Sequence, residues 1–408
     1  MHPPGRLERL FAMVLLLFST GAFMNLFLTR SFIPTKGLPF IQDIWVAVYL
    51  VVLFFLFTES RGVWALVLKG WPFLPLLGVV VVSVVWSDAK DLTIRRSLGL
   101  LATTMAGLYL AIRYSFAQQI RLLMPILKIS IVCSFIFGAL QLGTAVDNLP
   151  GPWYGIFTQR NSLGMIMALS ILVFLLWSQI EPEERWSAYC WAFLSFTLLL
   201  LSRSATGLLS IAAVIVFFVL LRQIRLNPER GRQIVLLAIL TASAGVYYTA
   251  NHFKDIVEIF DRDASLSGRT TIWGASLLMG MDRLWIGHGF NAFWLGDEGP
   301  SGTVRQIAGW NVPGAHNGFL EIWLDLGFVG LALFFLGFVR HIWKAARCFL
   351  REDRWEDAWP ILFLIFLFFV NLAQSALLSP NYVFWILYVT ISYRVCLMTA
   401  KRSQEGAT

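Results

Sequence analysis

The amino-acid sequence predicts an all-α polytopic membrane protein, on three observations. Its 408 residues are 58% hydrophobic and 14% charged, with a mean hydropathy of +0.70, whereas about a quarter of a soluble domain is charged. Apolar runs recur at the length of about 17–25 residues that a helix needs to cross a bilayer. Alternating strands of about ten residues, the mark of an outer-membrane barrel, are absent. One integral membrane domain over residues 1–408 is expected.

The apolar runs give about twelve spans. The first, 10–29, lies in MHPPGRLERLFAMVLLLFSTGAFMNLFL, which starts like a signal peptide. Its apolar stretch is too long for an h-region and no clear small-x-small cleavage site follows, so an uncleaved helix behind a short tail, 1–9, is expected. Runs at 41–57, 71–86, 97–112, 122–142 and 162–178 come next. The runs 186–201 and 204–221 are parted only by Ser202, Arg203 and Ser204, so one broken helix is the alternative there. The ninth run is 234–250; the tenth, 317–339, follows a long polar segment; 358–377 and 381–398 complete the set before a tail at 399–408.

Lys and Arg in the short loops set the orientation. With the N-terminus in the cytoplasm, nineteen of the thirty-two basic residues fall on the cytoplasmic side. They include Arg113, Arg121, the cluster Arg222, Arg225, Arg230, Arg232 and the cluster Arg340, Lys344, Arg347, Arg351, Arg354. Both tails are then cytoplasmic and the segment 251–316 faces outward. The formal charge of +8 is thus mostly a topology signal, not a nucleic-acid footprint. Within the outward segment, Ile272, Trp273, Ser276 and Leu277 recur at helical spacing and predict a short amphipathic helix near 270–285. A loop of this length in a compact protein is usually functional. Cys133, Cys190, Cys348 and Cys396 are scattered and indicate neither a disulfide framework nor a zinc site.

The exceptions to the charge rule carry the functional reading. Arg95 and Arg96, Arg160 in 157-FTQRNSLG-164, Arg203 in 202-SRSATG-207 and Arg269 in 267-SGRTTIW-273 all fall on the outward side. Singly, each could snorkel or pair with a local acid such as Asp88, Asp91 or Asp263. As a set they suit an anion, because guanidinium groups match phosphate oxygens and stay charged. Arg160 and Arg203 also stand near predicted helix N-termini, where free N–H groups and the dipole favour negative charge. A diphosphate at lipid-headgroup depth fits this pattern.

His316 opens the tenth span, and imidazole can take a proton from a hydroxyl near neutral pH. Asn317, Glu321 and Asp325 share one helical face, rotated away from His316, and are expected to hold the helix against its neighbours. Asp261 and Asp263 form a DxD pattern of the kind that holds a divalent cation.

Several segments, in order, resemble the bacterial O-antigen ligase and O-antigen or exopolysaccharide polymerase superfamily. They are 85-VWSDAKDLTIRRSL-98, 155-GIFTQRNSLGMIMAL-169, 202-SRSATGLL-209, 267-SGRTTIW-273, 287-GHGFNAFW-294, 315-AHNGFLEIWLDLGFVG-330 and 371-NLAQSALL with NYVFWIL-387. The resemblance implies about twelve membrane helices of GT-C-like type with a large periplasmic loop between the ninth and tenth. It implies a glycosyltransferase that moves a saccharide from undecaprenyl diphosphate to a sugar hydroxyl at the periplasmic face of the inner membrane. The transfer would be inverting and metal-independent, without a cofactor, which counts against a cation at Asp261 and Asp263. The family's two arginines and histidine map to Arg203, Arg269 and His316, with Arg160 and Asn161 as further donor-binding residues; apart from the resemblance, Asn317 and Glu321 are expected as supporting residues on the face described above. Where many relatives carry Lys before that Asn, this chain has Arg160. The expected partners are the lipid-linked donor, a glycan or lipid A-core acceptor, membrane lipid and a chain-length regulator. Exopolysaccharide or O-antigen polymerase is slightly favoured, with ligation to lipid A-core and lipid-linked-sugar export as the alternatives.

Overall fold

The computed structural model describes residues 4–24, 39–58, 72–140, 151–227, 264–297, 299–351 and 354–405, with positions 142, 229–231, 233, 240 and 243. Thirteen α-helices organise these residues. In order they are α1 (Arg6–Ser19), α2 (Pro39–Thr58), α3 (Phe73–Val82), α4 (Lys90–Arg113), α5 (Phe116–Ala139) and α6 (Arg160–Ile180). Then come α7 (Arg185–Leu201), α8 (Ala205–Leu226), α9 (Ala264–Gly280), α10 (Gly299–Ala308), α11 (Gly318–Arg351), α12 (Ala358–Asn371) and α13 (Val383–Glu405). Eleven of the expected apolar runs coincide with or overlap these helices; the ninth, 234–250, lies outside the described residues save for Leu240 and Ser243. So do Asp261 and Asp263. The described residues contain no β-strand.

Five of these helices are long and apolar enough to cross a membrane: α2 from Ile41, α5, α6, α8 and α11. Among the shorter ones, Phe73–Val85 and Val383–Met398 are similarly apolar. Two kinds of surface explain how they assemble. Helices α6 and α12 are apolar all round and nearly completely buried, which places them at the centre of the bundle. Helices α2 and α8 instead leave Val46, Leu50, Phe54, Phe57, Leu209, Val216 and Val219 exposed. Apolar surface of that extent is stable against lipid and not against water. A multi-pass membrane protein accounts for both.

At the end where α6 finishes, Arg121 meets Glu181 (2.7 Å). The Arg113–Glu8 pair (2.6 Å) and the Arg225 guanidinium stacked 4.1 Å from the Phe349 ring centroid involve further basic residues that the charge rule groups with Arg121. The start of α6, with Arg160, lies at the opposite end.

The expected tenth span differs in detail. Helix α11 runs on to Arg351 and is interrupted at Gly327, whose backbone (φ 65°, ψ −168°) is not helical. The break is repaired by the loop just before α10. His288 and Gly289 N–H groups donate to the carbonyls of Leu324 and Asp325 (2.9 Å each), while Phe328 and Val329 N–H groups donate to the carbonyls of Leu284 and Trp285 (3.0 and 3.1 Å). Every group of this exchange is backbone, and such irregular backbone is tolerated at membrane depth only where protein satisfies it. The close crossing requires glycine: a Cβ on Gly327 would lie 2.1 Å from the Trp285 carbonyl carbon, and one on Gly287 would lie 2.4 Å from that of Asp325. Gly327→Val is therefore expected to lower the thermal unfolding midpoint of the detergent-solubilised protein sharply. The backbone conformation alone accounts for about 1–3 kcal/mol, and the clash adds to it.

This repair ties the described residues of 264–316 into a small cap. Ile272 and Ala275 of α9, Val304 of α10, Phe293, Val312 and Ala315 of the loops, and Trp323 and Leu324 of α11 form a hydrophobic cluster separate from the main core. The cap also grips the start of α4. Thr93 Oγ1 donates to the Phe290 carbonyl (2.9 Å) and the Phe290 N–H to Ser83 Oγ (3.0 Å).

Candidate active site

The N-termini of α6 and α8 meet. Gly164 of α6 and Gly207 of α8 allow the contact: a Cβ on Gly164 would sit 2.3 Å from Ser204 Cβ, and one on Gly207 would sit 2.7 Å from the Gly164 carbonyl oxygen. Ser204 caps α8, accepting from the Gly207 N–H (3.3 Å), and its hydroxyl donates to Asn161 Oδ1 (3.1 Å). Asn161 is thus a strut between the two helix starts. Arg160 is the first residue of α6, whose N-cap residue Gln159 makes no side-chain cap, so first-turn N–H groups stay available to an anion. Arg203 occupies the turn between α7 and α8 in a left-handed conformation (φ 49°). The chain between them is two helices and not one broken rod. Both Arg160 and Arg203 are exposed.

Helix α9, longer than the 270–285 expectation at its start, brings in the third arginine. Trp273 lies one turn beyond Arg269, and its indole N–H donates to the Ala315 carbonyl (2.8 Å). That bond pins the α9 face carrying Arg269 to the residue preceding His316. Arg269 is half-buried, and burial followed by the positive charge of Arg160 lowers its pKa. His316 is held below its ordinary value first by burial and then by the charge of Arg269, while a hydrogen bond with the Gln374 side chain acts in the opposite sense. Arg269 therefore lies within electrostatic reach of both Arg160 and His316, which their separation in sequence does not reveal. Like charges so placed repel, and an anion among them relieves the repulsion.

His316 does not begin the helix. It sits in the turn before α11 with a left-handed backbone (φ 52°), and non-glycine residues in that region cluster at functional sites. Asn317 Oδ1 caps α11 by accepting from the N–H groups of Phe319 and Leu320 (3.0 and 3.1 Å). Glu321 accepts from the Ala315 N–H (2.6 Å), the Trp294 indole (2.6 Å) and Ser375 (3.2 Å). The carboxylate thus braces the histidine turn from behind. Asp325 Oδ2 accepts from the Asn291 N–H (2.9 Å). The polar face of the sequence reading thus belongs to the short segment ahead of Gly327 and anchors loops.

Two residues of this neighbourhood escape sequence reading. Gln374 is buried, its side chain acts on His316 to raise its pKa, and its backbone carbonyl accepts from the Gly318 N–H (3.0 Å). Trp273 looks like one more apolar residue of an amphipathic face. The only signal for Gln374 is a polar side chain inside the quoted segment 371-NLAQSALL. Arg95 and Arg96 stand apart from Asp88, whose carboxylate is taken by Arg283 (2.8 Å) and His288 (2.8 Å).

Comparison with known proteins agrees with the resemblance read from the segments. Residues 190–335 match the family model described as O-antigen ligase, a stretch that contains Arg203, Arg269 and His316 but not Arg160. The exopolysaccharide production protein ExoQ of Rhizobium meliloti (strain 1021) is 25% identical over 354 residues, covering 80% of this chain and 76% of that protein.

Proposed function

From a chain that carries the features of the O-antigen ligase and polymerase superfamily, we propose a surface-polysaccharide glycosyltransferase acting on an undecaprenyl-diphosphate-linked saccharide at the periplasmic face of the inner membrane. The observation that carries the reading is the α9 face bearing Arg269, pinned through the Trp273 indole to the Ala315 carbonyl next to His316, with the charge of Arg160 also acting on Arg269. Charge for a diphosphate and a base for a hydroxyl then share one site.

In this mechanism Arg203, Arg269 and Arg160, with the N-termini of α6 and α8, hold the donor diphosphate. They stabilise the charge that develops as the anomeric C–O bond breaks and its electron pair passes to the leaving phosphate oxygen. His316, kept neutral by its surroundings, takes the proton of the acceptor hydroxyl while that oxygen forms the new bond to the anomeric carbon. Attack opposite the leaving group inverts the anomeric centre. Asn161 positions the two helix starts, and Asn317 and Glu321 fix the turn that carries the base. No metal has a part in these steps, and no residue proposed here needs one.

The relative is named for exopolysaccharide production and the family model for O-antigen ligation, and two reactions follow as readings: polymerisation of the lipid-linked glycan and its ligation to lipid A-core. Purified protein offered an undecaprenyl-diphosphate oligosaccharide, with and without lipid A-core, separates them. Lengthened lipid-linked glycan is the outcome expected for a polymerase, and glycosylated lipid A-core is that for a ligase. Donor crossing vesicles with neither product would replace the transferase reading with export.

A further inference from the structure

A groove of about 400 Å³ lies at the other end of the bundle from Arg160, where α5 begins and α6 finishes. Arg121, Met124, Pro125 and Lys128 of α5 line it, together with Trp177 of α6 and with Glu181 and Glu184 of the turn into α7. The α5 residues recur at i, i+3, i+4 and i+7, so they share one helical face. Val132 and Ile136 continue that face further along α5 and are exposed. The groove thus leads from charged side chains onto apolar helix surface of the kind that meets lipid.

Its charged groups are unequally engaged. The Arg121 guanidinium donates to Glu181 Oε1 (2.7 Å) and lies 5.3 Å from the Trp177 ring centroid. The Trp177 indole N–H donates to Glu184 Oε2 (2.9 Å). Lys128 differs: among the described residues no carboxylate pairs with its ammonium, which lies 5.4 Å from the Trp191 ring centroid. A ring face attracts a cation without neutralising it. Lys128 also stands well inside α5, a helix apolar enough to cross a membrane, at about 18 Å from the helix start. A cation at such a position calls for a counter-charge. Its stem leans toward the helix N-terminus, and so toward Arg121.

A phosphate supplies that charge. It suits a lysine ammonium as a point charge, and the guanidinium has five N–H donors, more than Glu181 takes. The groove is not simply anion-binding, because Glu181 and Glu184 stand in it opposite two cations. A ligand carrying a phosphate beside a primary ammonium answers both signs, and each carboxylate has a second oxygen to accept from that ammonium. Acyl chains on the same ligand would cover Val132 and Ile136. One ligand class combines these parts, a phospholipid with an ethanolamine headgroup.

We propose that this groove binds one phosphoethanolamine lipid of the leaflet on that side, which the charge rule makes the cytoplasmic one. Its phosphate lies on Lys128 and Arg121, its ammonium on Glu181 and Glu184, and its chains along α5. The site is remote from Arg160 and does not rest on the transferase reading.

The test titrates full-length protein in detergent with phosphatidylethanolamine, phosphatidylglycerol or phosphatidylcholine and counts bound lipid by native mass spectrometry. Saturable binding of one phosphatidylethanolamine is expected, tighter than binding of either other lipid. Lys128→Gln and Arg121→Gln are each expected to weaken it about tenfold, the loss of one charge-assisted hydrogen bond. Lys128→Gln removes a charge from an apolar helix and Arg121 is exposed, so both variants are expected to keep the wild-type unfolding midpoint. Glu184→Gln is expected to weaken phosphatidylethanolamine and leave phosphatidylglycerol unchanged. No saturable binding, or unaltered affinity in both cation variants, overturns the site. Phosphatidylglycerol bound as tightly as phosphatidylethanolamine overturns the role given to the carboxylates. Displacement of the lipid by an equal concentration of inorganic phosphate overturns the lipid assignment in favour of a soluble anion.

Discussion

His316→Ala is expected to reduce transfer by about 100- to 10,000-fold, the range that a positioned general base contributes, while donor binding stays near the wild-type value. The separation follows from the geometry. The imidazole stands on a turn outside α11 and is braced by neighbours, so its removal leaves the Asn317 cap and the Glu321 bonds to Ala315 and Trp294 in place. The arginines and helix N-termini that would hold the diphosphate belong to α6, α8 and α9. Transfer rate and donor affinity are checked on one preparation by single-turnover product formation and by titration with the lipid-linked donor. Loss of both together would make His316 a structural residue.

Arg269→Ala is the second large effect. It removes the cation placed between the diphosphate site and the base, and the donor kcat/KM is expected to fall by about 100- to 1,000-fold, as for loss of one preorganised donor to a developing oxyanion. Arg269→Lys is expected to recover only part of this, because an ammonium supplies the charge without the planar fork. The Trp273 bond to Ala315 is untouched by either change, so α9 stays docked and the deficit reads out at the donor.

Much of this site could be seen in the sequence because charge is expensive in a membrane. Arg160, Arg203 and Arg269 stand out once Lys and Arg set the topology, and His316 stands out at the head of an apolar run. The helical elements were equally legible, since eleven apolar runs fall on described helices. The break at Gly327 was not. A glycine within LDLGFVGLAL has no signature of its own, and the interruption becomes stable only through the backbone of residues 284–289, some forty positions upstream in a segment with no periodicity. The role of Asp325 was hidden for the same reason, since its carboxylate meets the Asn291 N–H of the folded cap. Gln374 was hidden by a different one: a single buried amide after an apolar helix reads as a helix end, and only tertiary contact pairs it with the histidine.

The most direct test of the account is the acid limb of the pH profile of kcat/KM for transfer, which reports the free enzyme's base. A base must be unprotonated, so activity falls as pH drops through its pKa. Burial and Arg269 hold His316 below the usual value of about 6.5, which puts the wild-type limb below that pH. Removing the cation in Arg269→Ala relieves one lowering influence and is expected to move the residual activity's limb upward. Gln374→Leu removes the amide that raises the value and is expected to move it downward. Opposite displacements in the two variants are the predicted result. A limb that stays in place in both would contradict His316 as the base and the site built around it.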